Sequence, residues 1–209
     1  MNSTRSRIRR TAAVAAAGAA ALVLAACGSN GDSSAGHDGH TSKSPSASAP
    51  ASQGQHNAAD VTFAKGMIPH HRQAVQMADL APSRAESAEV KKLAADIKKA
   101  QDPEIKTLSG WLTSWGEEVP AEGAMDHSAH GADSGMMTAE EMDQLKNASG
   151  KAFDTAFMEM MIKHHEGAVA MAKTEQSGGA YEPAKKMAGA IITSQTAEIT
   201  QMNKLLGKS

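Results

Sequence analysis

Two pairs of adjacent histidines are the residues of this chain whose types and spacing best suit chemistry. His70 and His71 form one pair, and His164 and His165 form the other, 94 residues later. Imidazole nitrogens together with thioether sulfurs favour soft or borderline metal ions, Cu(I) above all, with Cu(II) and Zn(II) also taken by histidine. The sequence therefore predicts a transition-metal site, for copper in the first instance. Its ligands would be these histidines and the methionines at equivalent positions beside them: Met67, Met77, Met161 and Met171.

The same residues also have a purely structural interpretation. Methionine is a common gap-filler in helical bundles, and a single inward histidine is often a hydrogen-bonded core residue. Two equivalent pairs, each with methionine neighbours, favour metal binding over that interpretation. A metal-free structural or interaction bundle, in which the histidines belong to a buried polar network, stays open as the alternative function.

The histidine pairs lie within a unit that occurs twice. Residues 60–113 and 154–207 align without a gap and are identical at 19 of 54 positions, which indicates an internal repeat. In the first copy, Phe63, Met67, His70, Ala74 and Met77 step by three and four, the spacing of a helix packed in a bundle. The pattern predicts four long helices, at about residues 60–80, 86–115, 153–174 and 183–206. Asp60 is the expected N-cap of the first, and no strands are expected.

Two helical hairpins that each expose an apolar face dock most simply about a pseudo-twofold axis. The expected fold class is therefore all-α, a four-helix bundle over residues 58–209. Repeat 1 is assigned to residues 60–115, a loop and a short connecting helix to 116–150, and repeat 2 to 151–207. Thr138 and Glu141 fit a capping box for the short helix. Pro69 lies inside the first helix, where we expect a kink and no break.

The repeated motif resembles that of a bacterial secreted family. An M-I-x-H-H-x-x-A-V-x-M-A helix followed by a Q-x-x-E-I helix, present twice, is similar to the family known as domain of unknown function 305. The resemblance covers nearly all of the predicted bundle and implies a ferritin-like fold. It also implies a link to copper binding and resistance outside the cytoplasm, because some members of that family have this role.

Polar residues on the inner side of the second helix of each hairpin need a partner. They are Gln101 and Glu104 in repeat 1, and Gln195 and Glu198 in repeat 2. A charged group on that face is costly unless paired, so we expect these side chains to accept an imidazole N–H and orient the ring, as outer partners do at metal sites. A hairpin turning near Ser83 would bring Glu104 level with Phe63. A polar network that only sets the helix register is the alternative.

The N-terminal residues have the pattern of a lipoprotein leader. Residues 1–27 contain four arginines, an apolar run and small residues, and Cys27 ends a segment that resembles a lipobox. Cleavage before Cys27 would take the formal net charge from −2 to −6. Residues 28–57 are rich in Ser, Gly, Ala and Pro and are expected to form a disordered tether. We therefore expect an extracytoplasmic protein held on the outer face of the bacterial membrane through an acylated Cys27.

Further histidines outside the bundle could collect copper weakly. They lie in the tether and in the mid-chain loop: His37, His40, His127 and His130. Short tracts of this composition resemble low-affinity metal-collecting sequences, although a solvated linker would have the same composition.

Other functions are less favoured by the sequence. The charge balance gives no reason to expect a nucleic-acid partner, and no protein partner can be named. A di-metal redox enzyme is the remaining alternative, but di-iron bundles supply four inward carboxylates, and here only Glu104 and Glu198 face inward by pattern. We therefore do not expect an enzyme.

Overall fold

The structure, a computed structural model, describes residues 54–123 and 135–208. These ranges contain four long helices and two short ones, with no strand among them: α1 (Ala58–Ala78), α2 (Ala81–Arg84), α3 (Ala88–Trp115), α4 (Ala139–Asn147), α5 (Gly150–Gly178) and α6 (Glu182–Leu205). The all-α prediction is confirmed, and α1 runs through Pro69. No helix in the described ranges is long and apolar enough to cross a membrane. Four predicted histidines and Cys27 lie outside the described residues: His37, His40, His127 and His130.

The helix ends differ from the predicted ones for local reasons. Asn57, and not Asp60, is the N-cap of α1, because its side chain accepts the N–H groups of Ala59 and Asp60. Asp60 completes the capping box by accepting the N–H of Asn57. The capping box predicted for α4 is present, with Thr138 as the N-cap. Helix α5 is longer than predicted, since it continues to Gly178 before the chain turns.

The two hairpins are joined by a pair of equivalent aspartates. Asp60 accepts the N–H groups of Ala180 and Tyr181, just before α6. Asp154, 94 residues after Asp60, accepts the N–H groups of Glu86 and Ser87, just before α3. Each hairpin's first helix therefore closes the turn of the other hairpin. Helices α1 and α5 run antiparallel, since the start of α1 meets the end of α5, where the Asn57 amide donates to the Gly178 carbonyl.

Within residues 54–123 and 135–208, the buried apolar residues form two clusters. The cluster that we call the α4 cluster combines the end of α1 and the start of α5 with Met137, Met142 and Leu145. The second, which we call the groove cluster, combines the start of α1 and the end of α5 with side chains of α3 and α6, among them Leu108 and Ile191. The histidine pairs lie near the middle of α1 and α5, and therefore between the two clusters.

A short segment before α4 crosses α5 closely. We call residues 135–137 the strap. The Gln73 side chain donates to the Met137 carbonyl at 2.8 Å and accepts the Met137 N–H at 2.7 Å, and both hydrogen bonds are buried. Gly135 has a positive φ of 72°, and a Cβ there would overlap the carbonyl oxygen of Lys163. Glycine is therefore needed at position 135 for the strap to lie against α5.

Candidate metal centre

The four core histidines form one buried layer. The rings of His70 and His164 face each other across α1 and α5, with centroids 3.7 Å apart and planes tilted by 43°. His165 follows His164 with a centroid separation of 6.4 Å. All four side chains are at most 1% exposed. The internal repeat therefore brings the two pairs to the same level of the bundle, one from each hairpin.

The second histidine of each pair is held by a carboxylate. His71 Nε2 lies 2.8 Å from Glu104 Oε2, and His165 Nε2 lies 2.6 Å from Glu198 Oε2. A carboxylate accepts hydrogen bonds, so in both pairs Nε2 carries a proton, and the neutral form of the ring has its lone pair on Nδ1. The two contacts are related by the repeat, as the sequence predicted.

The register of these contacts differs from the predicted one. Glu104 pairs with His71 instead of lying level with Phe63, about two turns away. The prediction placed the hairpin turn near Ser83. In the structure, α2 and the three residues after it lengthen the connection between α1 and α3, and α3 begins only at Ala88. The later start shifts α3 relative to α1.

Several ring nitrogens in the layer lack a hydrogen-bond partner among the described residues. They are Nδ1 of His71, Nδ1 of His165 and both nitrogens of His164. Buried polar groups are nearly always paired with protein, water or an ion. Burial holds the pKa of His164 well below 6.5, the neighbouring His70, His165 and His71 add to the shift, and the nearby His70 backbone opposes it without reaching hydrogen-bond geometry. The His164 ring is therefore neutral, with a lone pair available to a metal ion.

The predicted methionines lie at two different distances from the layer. Met67 and Met161 come three residues before His70 and His164, on the adjacent turn of the same helix face, and both are fully buried. Met77 and Met171 come seven residues after these histidines, about 10 Å further along the helix. Met77 is buried in the α4 cluster and Met171 is half-buried beside the groove cluster. Met67 and Met161 are thus the thioethers that flank the layer.

The predicted amide partners do not hold the rings. Gln101 and Gln195 are buried, but within the described ranges neither side-chain oxygen accepts a hydrogen bond. Among the described residues, no three His, Cys, Asp or Glu side chains are placed to hold a metal ion together. An ion at the layer would need thioether ligands, rotation of the rings, or both. The free lone pairs and the adjacent sulfurs fit a soft ion such as Cu(I).

The sequence analysis did not predict the roles that four polar residues have in shaping the bundle. Asp60 and Asp154 join the hairpins, and their shared 94-residue offset was a readable signal. Gln73 and Glu175 have no such signal, because the other repeat has Gly167 and Ala81 at the equivalent positions.

Two repeated hairpins closed around a buried histidine layer define a ferritin-like helical-bundle protein with a candidate metal centre. The chain belongs to the family described as domain of unknown function (DUF305), whose family model matches residues 60–206. The family and the fold class predicted from the sequence are both confirmed. No curated protein matches the chain.

Solved structures extend the comparison. A DUF305 protein from Streptomyces coelicolor, described as secreted, is 31% identical with a TM-score of 0.63, over 72% of this chain and 93% of that one. A DUF305 fragment from Deinococcus radiodurans is 27% identical with a TM-score of 0.64, over 73% and 98%. CopM in its Cu(I)-bound form is 35% identical with a TM-score of 0.59, over 70% and 94%.

These matches bear on function in three ways. CopM is also solved in Cu(II)-bound and silver-bound forms, so one protein similar to this chain has been observed with copper and with silver bound. Neither the description of the family nor that of CopM names a catalytic activity. The secreted relative agrees with an extracytoplasmic location.

Proposed function

We propose that this protein is an extracytoplasmic lipoprotein that binds copper, as Cu(I), in the histidine layer, and that it serves in copper buffering or tolerance. The observation that carries the proposal is the set of buried imidazole nitrogens of His71, His164 and His165 that have no hydrogen-bond partner among the described residues. The copper-bound forms of CopM, 35–36% identical to this chain, support the choice of metal.

In this proposal the residues of the layer have distinct roles. His70 and His164 face each other and supply ligands from the two hairpins. His71 and His165 would bind through Nδ1, because Glu104 and Glu198 occupy Nε2 and orient the rings. Met67 and Met161 would supply thioether sulfur, which favours Cu(I) over Zn(II). Met77 and Met171 belong to the predicted set but lie further from the layer.

Two parts of the proposal concern residues outside the described ranges. Acylation of Cys27 would hold the protein on the outer face of the membrane, and replacing Cys27 with Ser should release it into the soluble fraction. His37, His40, His127 and His130 would collect copper weakly. Their joint replacement should lower the number of weakly bound ions and leave the tightest site intact.

The test is a Cu(I) titration of the mature protein against a competing chelator. We compare the parent with a variant in which His70, His71, His164 and His165 are all replaced by Gln, which keeps hydrogen-bonding groups for Glu104 and Glu198. The proposal expects the tight site to disappear while the helical circular dichroism signal is retained. His56→Gln is the matched control, since His56 stacks on Trp115 outside the layer. A folded quadruple variant that binds Cu(I) as tightly as the parent would show that the core histidines form a structural polar network and do not bind the metal.

A further inference from the structure

A groove lies between the start of α1 and the end of α5, away from the histidine layer. Its volume is about 360 Å³, and its lining includes Phe63, Gly66, Met171 and Glu175. Apart from Glu175 and two threonines the lining is apolar. The groove therefore combines space for an aliphatic group with one ionisable group.

The other half of the bundle fills the equivalent groove with its own chain. The positions 94 residues away are Phe157, Met160, Met77 and Ala81, and all belong to the α4 cluster or pack against it. Met142 and Leu145 of α4 are buried in that same cluster. The first half has no side chain at Gly66 where the second has Met160, and it has a carboxyl group where the other has the methyl group of Ala81.

Glu175 is a buried carboxylic acid whose oxygens accept no hydrogen bond from the described residues. The residue is 1% exposed, and within the described residues neither carboxyl oxygen has a hydrogen-bond partner of the usual donor type. Burial raises the pKa of Glu175 to about 8, the adjacent Asp60 carboxylate adds to the shift, and the charge of Lys185 opposes it. Without a ligand, Glu175 can form a hydrogen bond only as the neutral acid, by donating to Asp60.

Asp60 stays ionised beside Glu175. Burial alone would raise the pKa of Asp60, but hydrogen bonds from Glu175 and from the N–H groups of Asn57, Tyr181 and Ala180 outweigh it and hold that pKa low. The carboxylate oxygens of the ionised Asp60 accept backbone N–H groups that join the two hairpins. The site therefore favours a group that brings both N–H donors and positive charge.

We propose that this groove binds an ammonium group carried on a short aliphatic chain. The ammonium would donate to Glu175 in a charge-assisted hydrogen bond, and the chain would lie along Phe63, Gly66 and Met171, where the other half of the bundle packs Met142 and Leu145. A carboxylate ligand would be repelled by Asp60, and a neutral alkyl group would leave Glu175 unpaired. Because Glu175 must lose its proton to pair with the cation, binding near neutral pH releases protons.

The test uses hexylamine as the probe, with hexan-1-ol and hexanoate as ligands of matched length. The protein is kept metal-free with a chelator so that amine–copper contacts do not contribute. The ¹³C-labelled methyl signal of Met171 is followed during titration, and that of Met77, its counterpart in the filled half, serves as the internal control. The Met171 signal should move saturably with hexylamine, with the alcohol and the acid weaker by about tenfold or more.

Two variants separate the groove from non-specific binding. Glu175→Gln should weaken hexylamine binding by about tenfold and leave hexan-1-ol unchanged. Thr62→Trp, at an exposed position on the groove's rim, should block both ligands while Glu175 stays in place. The inference is overturned by any of three results: equal binding of amine and alcohol, undiminished amine binding by Glu175→Gln, or no Met171 response up to about 10 mM amine.

Discussion

The two repeats are alike at the centre of the bundle and different at its ends. At the centre, His71 with Glu104 and His165 with Glu198 make the same contact twice. At the ends, one half is covered by α4, while the other has a groove with Glu175 at its base. A shared site between the hairpins needs matching groups from both, whereas the outer surfaces are free to diverge. The central layer is therefore where the repeated chemistry is concentrated.

The difference at Glu175 should produce the largest effect. The folded protein keeps a proton on Glu175 up to a pKa of about 8, against the ordinary 4.5, so the folded state binds more protons than the unfolded state between these values. Stability should therefore fall as pH rises from about 4.5 to 8, by on the order of a few kcal/mol.

Urea unfolding of the parent and of Glu175→Gln across this pH range measures the effect. The variant should lose most of the pH dependence, because Gln stays neutral and can still donate to Asp60. Parallel pH profiles for the two proteins would show that Glu175 is ionised at no cost, and the assigned asymmetry would be wrong.

The aspartates that join the hairpins test the symmetric part of the comparison. Asp154→Ala leaves two N–H groups before α3 without their acceptor and should cost about 1–3 kcal/mol of unfolding free energy. Asp60→Ala makes the same change before α6, and it also removes the acceptor of the Asn57 N–H and of the neutral Glu175 acid. It should therefore cost more than Asp154→Ala. Denaturant unfolding at pH 6, where Glu175 is still mostly protonated, would show the difference; an equal or smaller loss for Asp60→Ala contradicts this account.

The strap supplies a smaller, local effect that only one half can show. Gln73→Ala removes both hydrogen bonds to Met137 and should cost about 1 kcal/mol in net stability. Amide hydrogen exchange at Met137 should accelerate by about tenfold or more. Unchanged exchange at Met137 in Gln73→Ala would mean that the strap is held by other contacts.

The repeat made most of the fold predictable. An ungapped offset of 94 residues fixed four helices and two hairpins, and the polar residues on the second helices predicted the contacts of His71 and His165. The register predicted for Glu104 was wrong, because the path of a connection such as α2 depends on its packing and leaves no periodic signal in the sequence.

The surroundings of Met171 and of the groove could not be predicted from the sequence spacing. Sequence spacing grouped Met171 with Met67, but Met171 lies about two turns from the histidines and lines the groove with Glu175. Glu175 interrupts an otherwise apolar set of equivalent positions, and its neighbours come from a helix more than a hundred residues earlier. Such a contact is visible only once α1 and α5 are docked.

The central claim, that the histidine layer binds Cu(I), is tested most directly by ¹⁵N NMR of the imidazole nitrogens. Cu(I) is added to the labelled mature protein in substoichiometric steps. We expect Nδ1 of His71 or His165 and a nitrogen of His164 to shift with the first equivalent, while the Nε2 protons held by Glu104 and Glu198 persist and His56 is unaffected. Layer nitrogens that stay unchanged through the first equivalent, while histidines elsewhere shift, would contradict the claim.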